Sequence, residues 1–215
     1  MLINFPNTVV SVTDRALVIH HEKPMATISS AVIGGGMGFV RFIVNFHVEH
    51  GYSCEQPEKD LETFARDLGI NEPFVGMMTA VPINKVQYST LRENGVTAAA
   101  LVTAGLSNLS AAGLTPPAQL KVGTINMVLL LDAALTPAAM VNAVTTATEA
   151  KTAVLYELGK KTKEDYPATG TSTDAIALGC SGRGELHKYA GPATNIGWLV
   201  GQCVHGALHK ALVNP

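Results

Sequence analysis

Cysteine, aromatic side chains and charge are all scarce in this chain of 215 residues, which carries three cysteines, 6% aromatic and 15% charged residues. Cys54, Cys180 and Cys203 form neither an even set nor a CxxC pair. That suits a reducing compartment, the cytoplasm, better than a secreted disulfide framework. Fifteen Lys and Arg stand against seventeen Asp and Glu, a formal net charge of −2, so there is no basic footprint for nucleic acid or anionic lipid. No basic stretch precedes an apolar one near the N-terminus, and a strictly apolar run such as residues 127–131, with no glycine near it, is far too short to cross a bilayer. Neither nucleic acid nor membrane is an expected partner.

What is present is small and apolar. With 47% hydrophobic residues and 20 glycines, the chain can bury one large core without metals or disulfides, built from small and β-branched side chains on closely approaching backbones. The expected fold class is α/β: residues 1–215 as a single layered domain, with mixed β-sheets packed against helices. Strands are expected at Thr8–Val12, 15–20, 27–33 and 39–48, all rich in Val, Ile, Phe or Thr. Gln56 and Pro57 open a helix with Leu61, Phe64, Ala65 and Leu68 on one face and Gly69 at its end.

Short apolar runs at 74–78 and 96–103 suggest buried strands, residues 104–121 a polar loop, and residues 124–131 the strongest strand. Thr136 and Pro137 supply an N-cap and first-turn proline for a long helix ending at Gly159, with Met140, Val144, Ala147, Val154 and Leu158 inward. A charged connection at 160–165 and a turn and strand within 168–179 follow. In a last helix, Ile196, Leu199, Val200, Cys203, Ala207, Leu208 and Ala211 recur at helical spacing, while Gly197 and Gly201 permit close contact with another element.

Few patterns carry chemistry by themselves. Gly170-Thr171-Ser172-Thr173-Asp174 gathers three hydroxyls and a carboxylate on a sharp turn, able to bind an amide-rich ligand. A self-capped turn explains the same residues. Gly34-Gly35-Gly36-Met37-Gly38 lacks both the Walker ending and GxGxxG spacing, so it implies no nucleotide and reads as a bend. His47 and His50, like His205 and His209, lack the carboxylate of HExxH, and His20 and His21 face opposite ways on a strand, so no catalytic zinc is expected.

Five stretches occur in order over most of residues 27–210. They are Ser29-Ser30-Ala31-Val32 with Gly34-Gly35-Gly36; Gly123-Thr124-Ile125-Asn126; Val141-Asn142-Ala143 on to Thr146-Ala147-Thr148-Glu149-Ala150-Lys151; Thr169-Gly170-Thr171-Ser172-Thr173-Asp174-Ala175; and Tyr189-Ala190-Gly191-Pro192-Ala193-Thr194. Together they resemble the adenosylcobinamide amidohydrolase (CbiZ-type) family. The resemblance implies hydrolysis of the amide joining the aminopropanol arm of adenosylcobinamide to the corrin ring, giving adenosylcobyric acid in corrinoid salvage. It implies a corrinoid partner whose cobalt arrives with the substrate and no cofactor required by the protein. Substrate contacts fall to Ser30, Gly35, Gly36, Asn126, Lys151, Thr171, Ser172 and Thr173, and a homo-oligomer stays open.

The segment from Gly123-Thr124 to Asp132-Ala133, the Pro-started helix and then Ser172-Thr173-Asp174 also resemble, distantly, the ornithine acetyltransferase family, although the Asn of its later turn is missing. That likeness implies αββα layering and, at Thr124, the position of a nucleophile that self-cleavage frees in that family. It makes Asp174 and Glu149 candidate bases and Thr79 a candidate oxyanion donor beside backbone N–H groups. Carboxylate-activated water would use the same residues. Two other classes fit the sequence: a non-catalytic corrinoid-binding protein, separated by product formation, and a Thr-dependent acyltransferase, which needs a second amine substrate.

Overall fold

The computed structural model describes residues 3–117 and 123–213. In chain order the elements are strands β1 (Thr8–Val12), β2 (Ala16–Ser29) and β3 (Gly36–His47), helix α1 (Pro57–Asp67), strands β4 (Phe74–Thr79), β5 (Gln87–Glu93), β6 (Val96–Ala104), β7 (Leu109–Ser110), β8 (Ile125–Leu131) and β9 (Ala134–Leu135), helix α2 (Pro137–Glu157), strands β10 (Gly170–Thr171), β11 (Ala175–Cys180) and β12 (Leu186–His187), and helix α3 (Asn195–Val213).

One eight-stranded sheet dominates, in the order β4-β3-β2-β11-β8-β6-β5 with β1 beside β2. It is mixed: β3 with β4 and β8 with β11 run parallel, the other pairs antiparallel. β2 holds it together. Its first half pairs with β1 and its second half with β11, and its register against β3 shifts between His20 and Met25. Such an irregularity increases local twist, and the sheet turns back on itself. Leu17, Ile19, Ile43 and Met77 from one half then share a core with Leu101, Val128 and Leu130 from the other.

Alternation sends the remaining side chains outward. Val102, Ile125, Met127 and Leu129 pack under Ala143, Val154, Leu199 and Cys203 of α2 and α3. Val44 and Phe46 pack under Leu61 and Ala65 of α1. The layers therefore run α, β, β, α. β8 lies inside this stack, buried at every position, as its unbroken apolar run requires.

The expected strands at 15–20 and 27–33 are one element, because the exposed Glu22, Lys23 and Pro24 interrupt the apolar pattern without turning the chain. β5 was not anticipated; as a half-exposed edge strand it carries no apolar run. The expected loop at 104–121 contains β7, and its residues 118–121 lie outside the described residues. On α2 the core positions include Ala143 and Leu155, while Val144 and Leu158 are only half-buried. Thr136 Oγ1 accepts from Ala139 N at 3.2 Å, capping α2, and Gly159 follows its end at φ +60°. A Cβ on Gly197 would collide with the Gly191 carbonyl of the preceding turn, whereas one on Gly201 would meet Thr146 of α2 at an ordinary 4.0 Å.

Candidate active site

The apolar β8 opens on polar residues, and they cluster. Thr124 is 5% exposed, and its Oγ1 lies 2.8 Å from Asn126 Oδ1 and 2.7 Å from the Thr173 carbonyl, both acceptors. β8 and β11 run parallel with Asn126 opposite Ala175, so the turn ahead of β11 falls beside the start of β8. Thr173 Oγ1 donates to the Gly123 carbonyl at 2.6 Å, and Thr171 Oγ1 lies 3.3 Å from the same oxygen.

Asp174 organises that turn. Its Oδ1 takes Ile125 N at 3.0 Å and Thr171 Oγ1 at 2.5 Å; its Oδ2 takes Thr171 N at 3.2 Å and the Lys151 ammonium of α2. Lys151 is 7% exposed, and a buried ammonium needs such a counter-charge. Four donors fill the carboxylate's acceptor sites. The group is therefore built to hold the turn, with no lone pair left for a substrate proton. Gly170 makes room for this pair, since a Cβ there would lie 2.6 Å from Lys151 Nζ. Gly123, at φ +143°, could not carry a side chain without striking Ser107 and Asn108.

Behind Thr124 the two halves of the sheet are joined by buried amides. Asn126 Nδ2 donates to Asn45 Oδ1 at 2.8 Å and to the Met78 carbonyl at 2.7 Å, and Asn45 Nδ2 donates to Thr103 Oγ1 at 3.0 Å. Neither Asn45 nor Thr103 stood out in the sequence. A lone polar residue within an apolar strand was the available signal, but only the fold reveals which ones meet.

The structure thus gathers Thr124, Asn126, Lys151, Thr171, Thr173 and Asp174. Thr79 ends β4 next to Met78, buried, with its Oγ1 accepting Val81 N at 3.0 Å. Ser172 is exposed and accepts from Asn108 Nδ2 at 2.6 Å. Ser30, also exposed, accepts from Ile176 N at 3.1 Å, two residues beyond Asp174. Gly35 and Gly36 form the bend between β2 and β3; Gly36 is paired with Ser29, and Ser29 in turn with Ala177 of β11, which sets that bend apart from the cluster. Glu149 is not brought in. It lies two residues from Lys151, roughly 200° around the helix, so with Lys151 turned inward Glu149 is exposed to solvent.

Two concavities flank these residues. One of about 770 Å³ is lined by Leu106, Asn108, Leu109, Pro116, Lys161 and Ser172 among others; one of about 250 Å³ is lined by Ala80, Val81, Ser107 and Gly123. Burial pushes the Cys180 thiol up to about 12 and Cys203 to about 11, so both stay protonated. Among the described residues no three His, Cys, Asp or Glu side chains converge as a metal site, and no helix is long and apolar enough to cross a membrane.

Comparison with known proteins adds a family and a fold. The model of the family described as adenosylcobinamide amidohydrolase matches residues 5–214. The adenosylcobinamide amidohydrolase of Methanosarcina mazei is 32% identical over 202 residues, 90% of this chain and 92% of that protein. That of Halobacterium salinarum is 35% identical over 121 residues, 53% of this chain and 49% of its own. Among solved structures, a Burkholderia beta-aminopeptidase superposes with a TM-score of 0.50 at 14% identity, over 96% of this chain and 82% of its own. A Pyrococcus horikoshii protein gives 0.50 at 11%, over 96% and 83%. These two likenesses concern the fold alone.

Proposed function

This chain belongs to the adenosylcobinamide amidohydrolase family, and from that premise we propose that it hydrolyses the amide between the aminopropanol arm and the corrin ring of adenosylcobinamide. Water is consumed, and adenosylcobyric acid and aminopropanol are released, a step of corrinoid salvage that fits the cytoplasm. The cobalt belongs to the substrate and the chain's own residues supply the chemistry.

One observation carries the assignment of roles: the Thr124 hydroxyl, at the start of a buried strand, lies within hydrogen-bond reach of two fixed acceptor oxygens, Asn126 Oδ1 and the Thr173 carbonyl. Thr124 Oγ attacks the amide carbonyl carbon, the C–N bond breaks, and the amine leaves with the hydroxyl proton. Water then cleaves the ester. The Lys151–Asp174 pair is a positioning unit, holding Thr171 and Thr173 where their hydroxyls meet the Gly123 carbonyl. Ser172 and the larger concavity it lines receive the amide-rich rim of the corrinoid.

Mass spectrometry of adenosylcobinamide incubated with purified protein is the direct test, with cobyric acid and aminopropanol the expected products. Binding without either product would leave a corrinoid-binding protein. Turnover only in the presence of an added amine would make the chain an acyltransferase. Activity is expected to survive exhaustive chelation, and loss restored by zinc would overturn the account of the donor set.

A further inference from the structure

We infer that Asn45, an unassigned buried residue on β3, is a positioning residue that acts through Asn126 to set the nucleophilicity of Thr124; the inference rests on the function proposed above. A carboxamide has one acceptor end and one donor end, and which end faces Thr124 decides what that hydroxyl can do. Here Asn126 Nδ2 is committed twice, to Asn45 Oδ1 at 2.8 Å and to the Met78 carbonyl at 2.7 Å. Turning Asn126 over would set its oxygen against both of these oxygens, a costly arrangement without water.

Asn45 is itself held, because its Nδ2 donates to Thr103 Oγ1 at 3.0 Å. Asn45, Thr103 and Asn126 are each 1% exposed, so solvent cannot replace a lost partner. The consequence reaches Thr124. Asn126 Oδ1 at 2.8 Å and the Thr173 carbonyl at 2.7 Å are both acceptors, so the single hydroxyl proton is held on their side and the oxygen lone pairs are left for a carbonyl carbon. A turned Asn126 would instead donate to that oxygen, occupying a lone pair and weakening the nucleophile.

Three variants test this, each with a melting curve. Asn45→Leu removes the acceptor that fixes Asn126, and kcat should fall about tenfold with KM nearly unchanged. Asn45→Asp should restore kcat to within about threefold of wild type, because burial favours the neutral acid, whose carbonyl accepts from Asn126 while its hydroxyl donates toward Thr103. If Asn45→Leu does not fold, Thr103→Val carries the test: it frees Asn45 to turn and should lower kcat about threefold at constant KM. A folded Asn45→Leu or Thr103→Val with wild-type kcat would overturn the inference. So would an Asn45→Asp enzyme as impaired as Asn45→Leu.

A readout without corrinoid separates this inference from the proposed function. A β-lactone probe acylates a nucleophilic hydroxyl: the Oγ–carbon bond forms, the ring C–O bond breaks, and the proton ends on the released ring oxygen. Mass spectrometry should locate the adduct on Thr124, forming about tenfold more slowly in Asn45→Leu. Equal labelling of the two, or no adduct on wild-type Thr124, would sink the inference. A labelled wild-type Thr124 in a protein that leaves adenosylcobinamide intact would refute the substrate and keep the role of Asn45.

Discussion

Asp174 shows how far one residue's chemistry depends on what surrounds it. In sequence it is a candidate base on a hydroxyl-rich turn; in the fold it accepts four hydrogen bonds and neutralises a buried lysine. Asp174→Asn should therefore act first on stability. It replaces one acceptor oxygen with a donor among donors and leaves Lys151 unpaired, a loss of about 3 kcal/mol, read as a lower denaturant midpoint. An unchanged midpoint would reject the structural role. Thr124 should behave in the opposite way. Thr124→Ala is expected to fold and bind but lose at least about a thousandfold in kcat, while Thr124→Ser keeps measurable turnover because the hydroxyl remains. An active Thr124→Ala enzyme would exclude Thr124 as an essential nucleophile and overturn the proposed acyl route. The grouping of Thr124 with the 171–174 turn was legible because motif order survives in sequence. Asn45 and Thr103 were not, since their partners lie far away along the chain and polar residues within apolar strands carry no address.

At the level of elements, legibility followed the strength of the local signal. α2 was readable because Thr136, Pro137 and Gly159 mark its two ends with residues whose backbone chemistry suits a cap, a first turn and a left-handed exit. β8 was readable from its apolar run. β5 was not, because a half-exposed edge strand has no reason to carry a continuous apolar run, and β2 was cut in two by a polar stretch that stays extended. Sequence spacing suggests that the glycines of α3 serve a contact with another element, yet Gly197 is needed by the turn just before it, where Thr194 Oγ1 accepts Gly197 N at 3.0 Å and caps the helix. Gly197→Ala should then cost about 2 kcal/mol, since a backbone carbonyl cannot move aside as a side chain can. Gly201→Ala meets only Thr146 at 4.0 Å and should be neutral or slightly stabilising through the better helix propensity of alanine. Melting temperatures of the two variants measured side by side would decide, and equal shifts would contradict the difference read from the contacts.

The whole molecule places its polar cluster at a seam. The sheet folds back so that β3 and β4 from one half meet β8 from the other, and Asn45, Met78 and Asn126 are bonded across that junction. A site spanning two halves of one sheet should tighten the molecule when it is filled. Adenosylcobinamide binding to the native state alone would stabilise it by about 2.7 kcal/mol at a hundredfold excess over Kd. For a chain of this length each kcal/mol moves Tm by roughly 2–4 °C, so a rise of about 5–10 °C is expected. Thr124→Ala is the proper protein for that measurement, because it should hold the substrate without converting it during the scan. An undiminished shift in Thr124→Ala, with no product, would separate binding from chemistry at one residue. No shift in either protein, together with no binding by calorimetry, would remove adenosylcobinamide as the ligand. A shift that appears only in the wild type would mean that the Thr124 hydroxyl contributes to holding the substrate in its ground state, and the fall in kcat would then have to be read together with a rise in KM.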